Sequence, residues 1–192
     1  MRTCSTVNIH VRQVMLSMLI TLSLMLSGSL ESRAETGNLN ENEVKAAYLY
    51  NFAKYVEWPA AAFPRENTPL IMCIVGTSPL NEVIESLAGK TVRNHRLVIR
   101  HFSRIEDLSE CHILFINSSV KTPLNQILTS AATRSILTVS DSKGFASAGG
   151  VIEFVPIGGK IRFQINNRAA QLATLQISSH LLRLATTIVE RQ

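Results

Sequence analysis

Apolar residues recur at spacings of three and four through Val44, Ala47, Tyr48, Leu49, Phe52, Ala53 and Val56, a period that predicts a helix over 41–57 with one buried stripe. Asn40 and Glu43 stand in capping-box positions ahead of it, and Pro59 ends it. The rhythm then changes. Leu70 to Val75 is an unbroken apolar run, as expected of a strand buried on both faces of a parallel sheet. Ser78-Pro79 supplies an N-cap and a first-turn proline for a helix reaching about Ala88. Three more strands are predicted at Arg96–Arg100, His112–Ile116 and Ile136–Val139. A short helix is expected around Ile105 to Leu108, and another opens at Thr122-Pro123.

Beyond residue 150 the alternation of strand and helix gives way to two strands, Val151–Ile157 and Lys160–Ile165, separated by Gly158-Gly159, a two-residue hairpin signal. In the second strand Ile161, Phe163 and Ile165 face one way and Arg162, Gln164 and Asn166 the other, so one face is expected to be wetter. Leu181, Leu182, Leu184, Ala185, Ile188 and Val189 read as the stripe of a closing helix. Repeated βα units followed by a hairpin predict a three-layer α/β/α sandwich of about six strands, mostly parallel with a C-terminal antiparallel hairpin.

The first 34 residues follow a different logic. Arg2 and Arg12 precede a short apolar stretch from Val14 to Leu26, and small residues, Ser32 and Ala34, stand three and one before a cut after Ala34. These are the parts of a secretory signal peptide. The alternative is an uncleaved N-terminal anchor, although the stretch is short of the roughly 20 apolar residues of a membrane span. The expected organisation is a signal peptide over 1–34 and a single domain over 35–192. Cleavage lowers the formal charge from +5 to +3, because it removes three arginines and one glutamate. With no long Lys/Arg block remaining, nucleic-acid binding has no support. Cys4 leaves with the signal, so Cys73 and Cys111 remain. An even pair in an oxidising compartment points to one disulfide, the alternative being two buried free thiols.

Motifs of chemistry are absent from the sequence: no G-x-S-x-G, H-E-x-x-H, Walker loop or G-x-G-x-x-G occurs. No catalytic residue, metal ligand or cofactor is therefore expected. His112 beside Cys111 is not read as a metal pair, since a strand sends neighbouring side chains to opposite faces. Arg93, His95, Arg96, Arg100, His101 and Arg104 concentrate positive charge around the second strand, either a solvated edge or a docking face for an acidic partner. Gly76-Thr77-Ser78 and Asn117-Ser118-Ser119 fall at predicted carboxyl ends of strands, where open α/β sheets place ligands and backbone amides can hold an anion. Trp58 either packs the first helix onto the sheet or serves as a binding anchor. His180, at the start of the closing helix, is a local structural residue, a pH sensor or an anion ligand.

Val44-Lys45-Ala46-Ala47-Tyr48-Leu49-Tyr50-Asn51-Phe52-Ala53-Lys54-Tyr55-Val56-Glu57-Trp58-Pro59 closely resembles the opening signature of the YfiR family of periplasmic regulators. Ile74-Val75-Gly76, Gly150 to Phe154, Arg162 to Asn166 and Ser178 to Ala185 resemble that family as well. The resemblance implies an α/β/α fold, a homodimer, and repression of an inner-membrane diguanylate cyclase through its periplasmic sensor region. It further implies an outer-membrane OmpA-like lipoprotein that draws the repressor away, and redox control through disulfides. Cys73 and Cys111 match the cysteine pair of the first and third strands, whereas Ala146 and Glu153 stand about where a second pair would lie. Candidate partner- or ligand-binding residues are Glu57, Trp58, Asn166, Arg168 and His180. The rival readings are a periplasmic small-ligand or anion sensor feeding another membrane receptor, and a hydrolase with an unrecognised site.

Overall fold

The first helix starts where the capping box places it. In the computed structural model, which describes residues 40–102, 108–132 and 134–189, α1 spans Glu41–Tyr55. The Asn40 side chain accepts from Asn42 N at 3.3 Å, and Glu43 accepts from Asn40 N at 2.9 Å. The helix stops two residues short of its predicted end because Val56–Glu57 (β1) turns away to pair antiparallel with Gln176–Ile177 (β9). The signal peptide expected over 1–34 lies outside the described residues.

Among the described residues the main sheet has eight strands. They are β2 (Leu70–Val75), β3 (Thr91–Val92), β4 (His95–Phe102), β5 (Ile113–Ile116), β6 (Leu137–Ser140), β7 (Ile152–Ile157), β8 (Lys160–Asn166) and β10 (Ile188–Val189). Their order is β10-β8-β7-β6-β5-β2-β4-β3. Strands β4, β2, β5, β6 and β7 run parallel. Strand β8 folds back antiparallel on β7 through Gly158-Gly159, both at positive φ (+57° and +72°), as a primed hairpin turn requires. The six long strands are those the sequence predicts, and two-residue β3 and β10 extend the sheet at its edges. Taken in chain order, the five parallel strands are arranged 2-1-3-4-5, a doubly wound order whose switch point lies between β2 and β5.

Strand β2 divides the core in two because alternate side chains face opposite sides of the sheet. Leu70, Met72 and Ile74 join one cluster with Leu49 and Phe52 of α1, Leu80 and Ile84 of α2 (Leu80–Glu85), and Phe154 and Phe163 of the hairpin. Phe52 and Phe163 meet edge to face at 5.0 Å. Ile71, Cys73 and Val75 join the other cluster with Ile127 and Leu128 of α3 (Leu124–Ala132) and with Phe145. Helix-bearing layers thus cover both faces, giving the α/β/α arrangement.

Several expectations are corrected. The closing helix, α5, covers only Ser179–Leu184, and Ile188–Val189 instead forms β10, parallel to β8. The cause is local: Thr186-Thr187-Ile188-Val189 is an unbroken β-branched run, and Thr186 N and Thr187 O complete hydrogen bonds with Phe163 O and Ile165 N. Helix α2 is shorter than predicted, because Ser86 to Gly89 form turns that lead into β3. A six-residue helix, α4 (Asn167–Leu172), was not expected; Asn166 caps it by accepting from Ala169 N at 2.9 Å. Asn166 is accordingly buried rather than on a wet face. The helix expected around Ile105 to Leu108 lies outside the described residues except for Leu108, as does Arg104.

Candidate functional site

The amino-terminal edge of the sheet is tied together by a disulfide and a histidine. Cys73, midway along β2, and Cys111, two residues before β5, are bonded with Cα atoms 5.8 Å apart, inside the range a disulfide needs. The pairing read from the cysteine count is therefore present, and the alternative of two free thiols is not. His112 follows immediately. Its Nδ1 accepts from Ile71 N at 3.1 Å, and its Nε2 donates to Ala62 O at 3.0 Å, so the imidazole is neutral with its proton on Nε2. Burial holds its pKa below the ordinary 6.5, reinforced by His95 nearby, against the hydrogen bonds that favour the charged form. Phe63 is stacked between the two imidazoles, 3.9 Å from His95 and 4.6 Å from His112. The segment from β1 to β2 is thereby clasped onto the sheet.

The five candidate binding residues fall into separate places. Trp58 is half-buried and donates from Nε1 to His112 O at 3.2 Å, so its indole holds the same clasp. Glu57 is exposed on β1 and pairs at 2.9 Å with Arg93, whose Nε also donates to Lys54 O. His180, exposed on α5, lies 5.1 Å from the Tyr55 ring, beside the β1–β9 ribbon. Asn166 and Arg168 line a cavity of about 290 Å³ that contains none of the other three. Its walls are largely apolar, with Leu128, Ile136 and Val151 facing Ala169 and Leu172, and Leu172 is 69% exposed at this surface.

One wall of that cavity is a loop whose position the sequence did not reveal. Buried Glu153 accepts from Gly144 N at 2.8 Å and from Ala146 N at 2.9 Å, and Asn166 Nδ2 donates to Ala146 O at 2.8 Å. Phe145 fills the space beneath, so close to Gly150 that a Cβ there would meet its ring at 2.1 Å. A glutamate in the middle of an apolar strand, Val151-Ile152-Glu153-Phe154, was the available signal, since a buried carboxylate demands donors.

At the carboxyl edge, the loops after β2 and β5 close on each other. Asn117 N donates to Val75 O at 3.0 Å, Ser119 Oγ to Thr77 O at 3.2 Å, and a Cβ on Gly76 would meet Val120 at 2.8 Å. Open space lies instead toward the end of β4, bounded by Thr77, His101, Phe102 and Lys121. Asp141 accepts from Ser118 N at 2.8 Å and pairs with Lys45 Nζ at 3.1 Å. Burial alone would lower the Lys45 pKa, but Glu41 and Asp141 outweigh it and hold the ammonium above its ordinary value. The basic stretch around β4 is compensated in part: Arg93 meets Glu57, Arg100 meets Glu110 and His101 meets Glu85. Among the described residues no group of three His, Cys, Asp or Glu side chains is placed to hold a metal, and no helix is long and apolar enough to cross a membrane.

Residues 42–186 match the model of the YfiR/HmsC-like family. The chain belongs to this family. Members are periplasmic regulators of cyclic di-GMP signalling. The match takes in the disulfide, the histidine clasp and all five candidate residues. A comparison with curated proteins gives no match.

Proposed function

We propose that this YfiR/HmsC-like chain is a repressor, exported through a signal peptide cleaved after Ala34, that binds the periplasmic sensor region of an inner-membrane diguanylate cyclase and lowers cyclic di-GMP output. In this reading it acts by binding and not by catalysis, as a homodimer, and an OmpA-like outer-membrane lipoprotein competes for it. The observation that carries the reading is the family match over residues 42–186, which takes in every strand of the sheet except β10. A repressor that prefers the inactive form of a receptor shifts its population by at most the differential binding energy. The Cys73–Cys111 bond ties central strand β2 to the segment that leads into β5, and its reduction is proposed to loosen the repressor and release the brake. The docking residues proposed are Glu57, Trp58 and His180 around the β1–β9 ribbon, with Asn166 and Arg168 at the apolar cavity.

The test is co-purification of the exported protein with the periplasmic region of the cyclase, before and after a reductant. Binding that weakens on reduction supports a redox-gated repressor; no binding in either state rejects the partner. The cavity beside Arg168 also favours a second reading, a sensor of small amphiphilic anions, because it combines an apolar wall with a cation. A concentration-dependent rise in melting temperature with benzoate, lost in Arg168→Ser, supports that reading, and no rise rejects it.

A further inference from the structure

The two sulfurs of the disulfide differ in their surroundings. Cys73 is 0% exposed in the middle of β2, with Arg100 and Leu114 beside it in register on β4 and β5. Cys111 lies at the amino-terminal edge of the sheet, 6% exposed, and lines a cavity of about 570 Å³ that Cys73 does not line. Ala62 and Thr68 of the clasped segment wall the same cavity, together with Glu110, Arg100 and Arg134. Glu110 pairs with Arg100, and His112 is held neutral, so among the described residues the exposed guanidinium of Arg134 is the charge at this cavity without an ion-pair partner.

We propose that Cys111 is the exchange-reactive half of this disulfide, and that the cavity admits a small thiol carrying a second, anionic group, which Arg134 attracts. The thiolate of the incoming molecule attacks the Cys111 sulfur; a new sulfur–sulfur bond forms there, the bond to Cys73 breaks, and Cys73 leaves with the electron pair and takes a proton from water. A second thiolate then attacks the incoming molecule's sulfur in the mixed disulfide, releasing Cys111 as a thiolate that takes a proton from water. Two thiols are oxidised to one disulfide while the protein gains two thiol groups. Because Cys73 is fully buried, its thiolate is a poor leaving group, so the first step reverses readily and the second thiol equivalent completes reduction. The assignment supplies the entry path for the redox gating proposed above, on which its regulatory use rests.

The test uses protein purified from cells expressing the full chain, without any partner, and compares disulfide loss with 2-mercaptoethanesulfonate, 2-mercaptoethanol and cysteamine, expressed per thiolate. The sulfonate is expected to react about tenfold faster than cysteamine at low ionic strength. The gap is expected to close with added salt and in Arg134→Ser. Acid quenching is expected to trap the adduct on Cys111, located by peptide mass spectrometry. An adduct on Cys73, a rate that does not depend on thiol concentration, or a charge preference that survives Arg134→Ser overturns the proposal. Each result is independent of co-purification with the cyclase region, so the exchange site and the repressor reading fail separately.

Discussion

His112 and Glu153 are buried polar side chains, and each satisfies backbone groups through its hydrogen bonds. The folded chain keeps His112 neutral, whereas the unfolded chain takes up a proton near pH 6.5. Its stabilising contribution is therefore complete above that pH and is lost as pH falls below it and through the lower folded value. Melting temperature measured from about pH 7.5 down to about pH 5 is expected to decline, and His112→Asn is expected to flatten that decline while lowering stability at neutral pH. Glu153 satisfies two backbone amides with one carboxylate, so Glu153→Ala is expected to lower the unfolding free energy by about 3 kcal/mol in urea titration. Either role escapes a pattern reading: the sequence shows a histidine beside a cysteine and an acid inside a strand, but not the donors and acceptors they meet.

At the scale of elements, the Cys73–Cys111 bond closes a sequence separation of 38 residues that includes β3, β4 and the crossover back to β5. Loop-closure entropy gives such a bond about 4 kcal/mol. Urea unfolding of Cys73→Ser in parallel with the parent protein is expected to show a loss of that order. The C-terminal edge offers a second test. Thr186 N and Thr187 O stitch β10 to β8, so Thr186→Pro, which removes a donor, is expected to speed exchange of the Ile165 amide by about tenfold or more. The six long strands and α1 were legible because an unbroken apolar run or a 3.6-residue period persists over enough residues to be distinctive. Strand β10 and helix α4 were not: two and six residues carry too little period, and their states follow from the neighbours they pair with or cap.

For the whole molecule, the doubly wound order places two helix-bearing layers on one sheet and brings the disulfide, Trp58 and the clasped segment to its amino-terminal edge. If reduction loosens partner binding by tenfold, the corresponding change in free energy is about 1.4 kcal/mol, which also bounds the shift in receptor population it can produce. Titration of the cyclase region with oxidised and reduced protein measures that ratio directly, and equal affinities exclude redox gating. The sequence by itself determined the layered α/β class, the hairpin, the first helix with its cap and which two cysteines were available to pair, because each depends on residues close in the chain or on a simple count. Only the tertiary structure decided that Glu57, Glu85 and Glu110 pair with Arg93, His101 and Arg100 of the basic stretch, that the five candidate residues are divided among a ribbon, a clasp and a cavity, and that Cys111 and not Cys73 lines the cavity beside Arg134. Those outcomes depend on which distant segments the sheet order makes neighbours, and sheet order is set by packing over the whole domain, not by any local pattern.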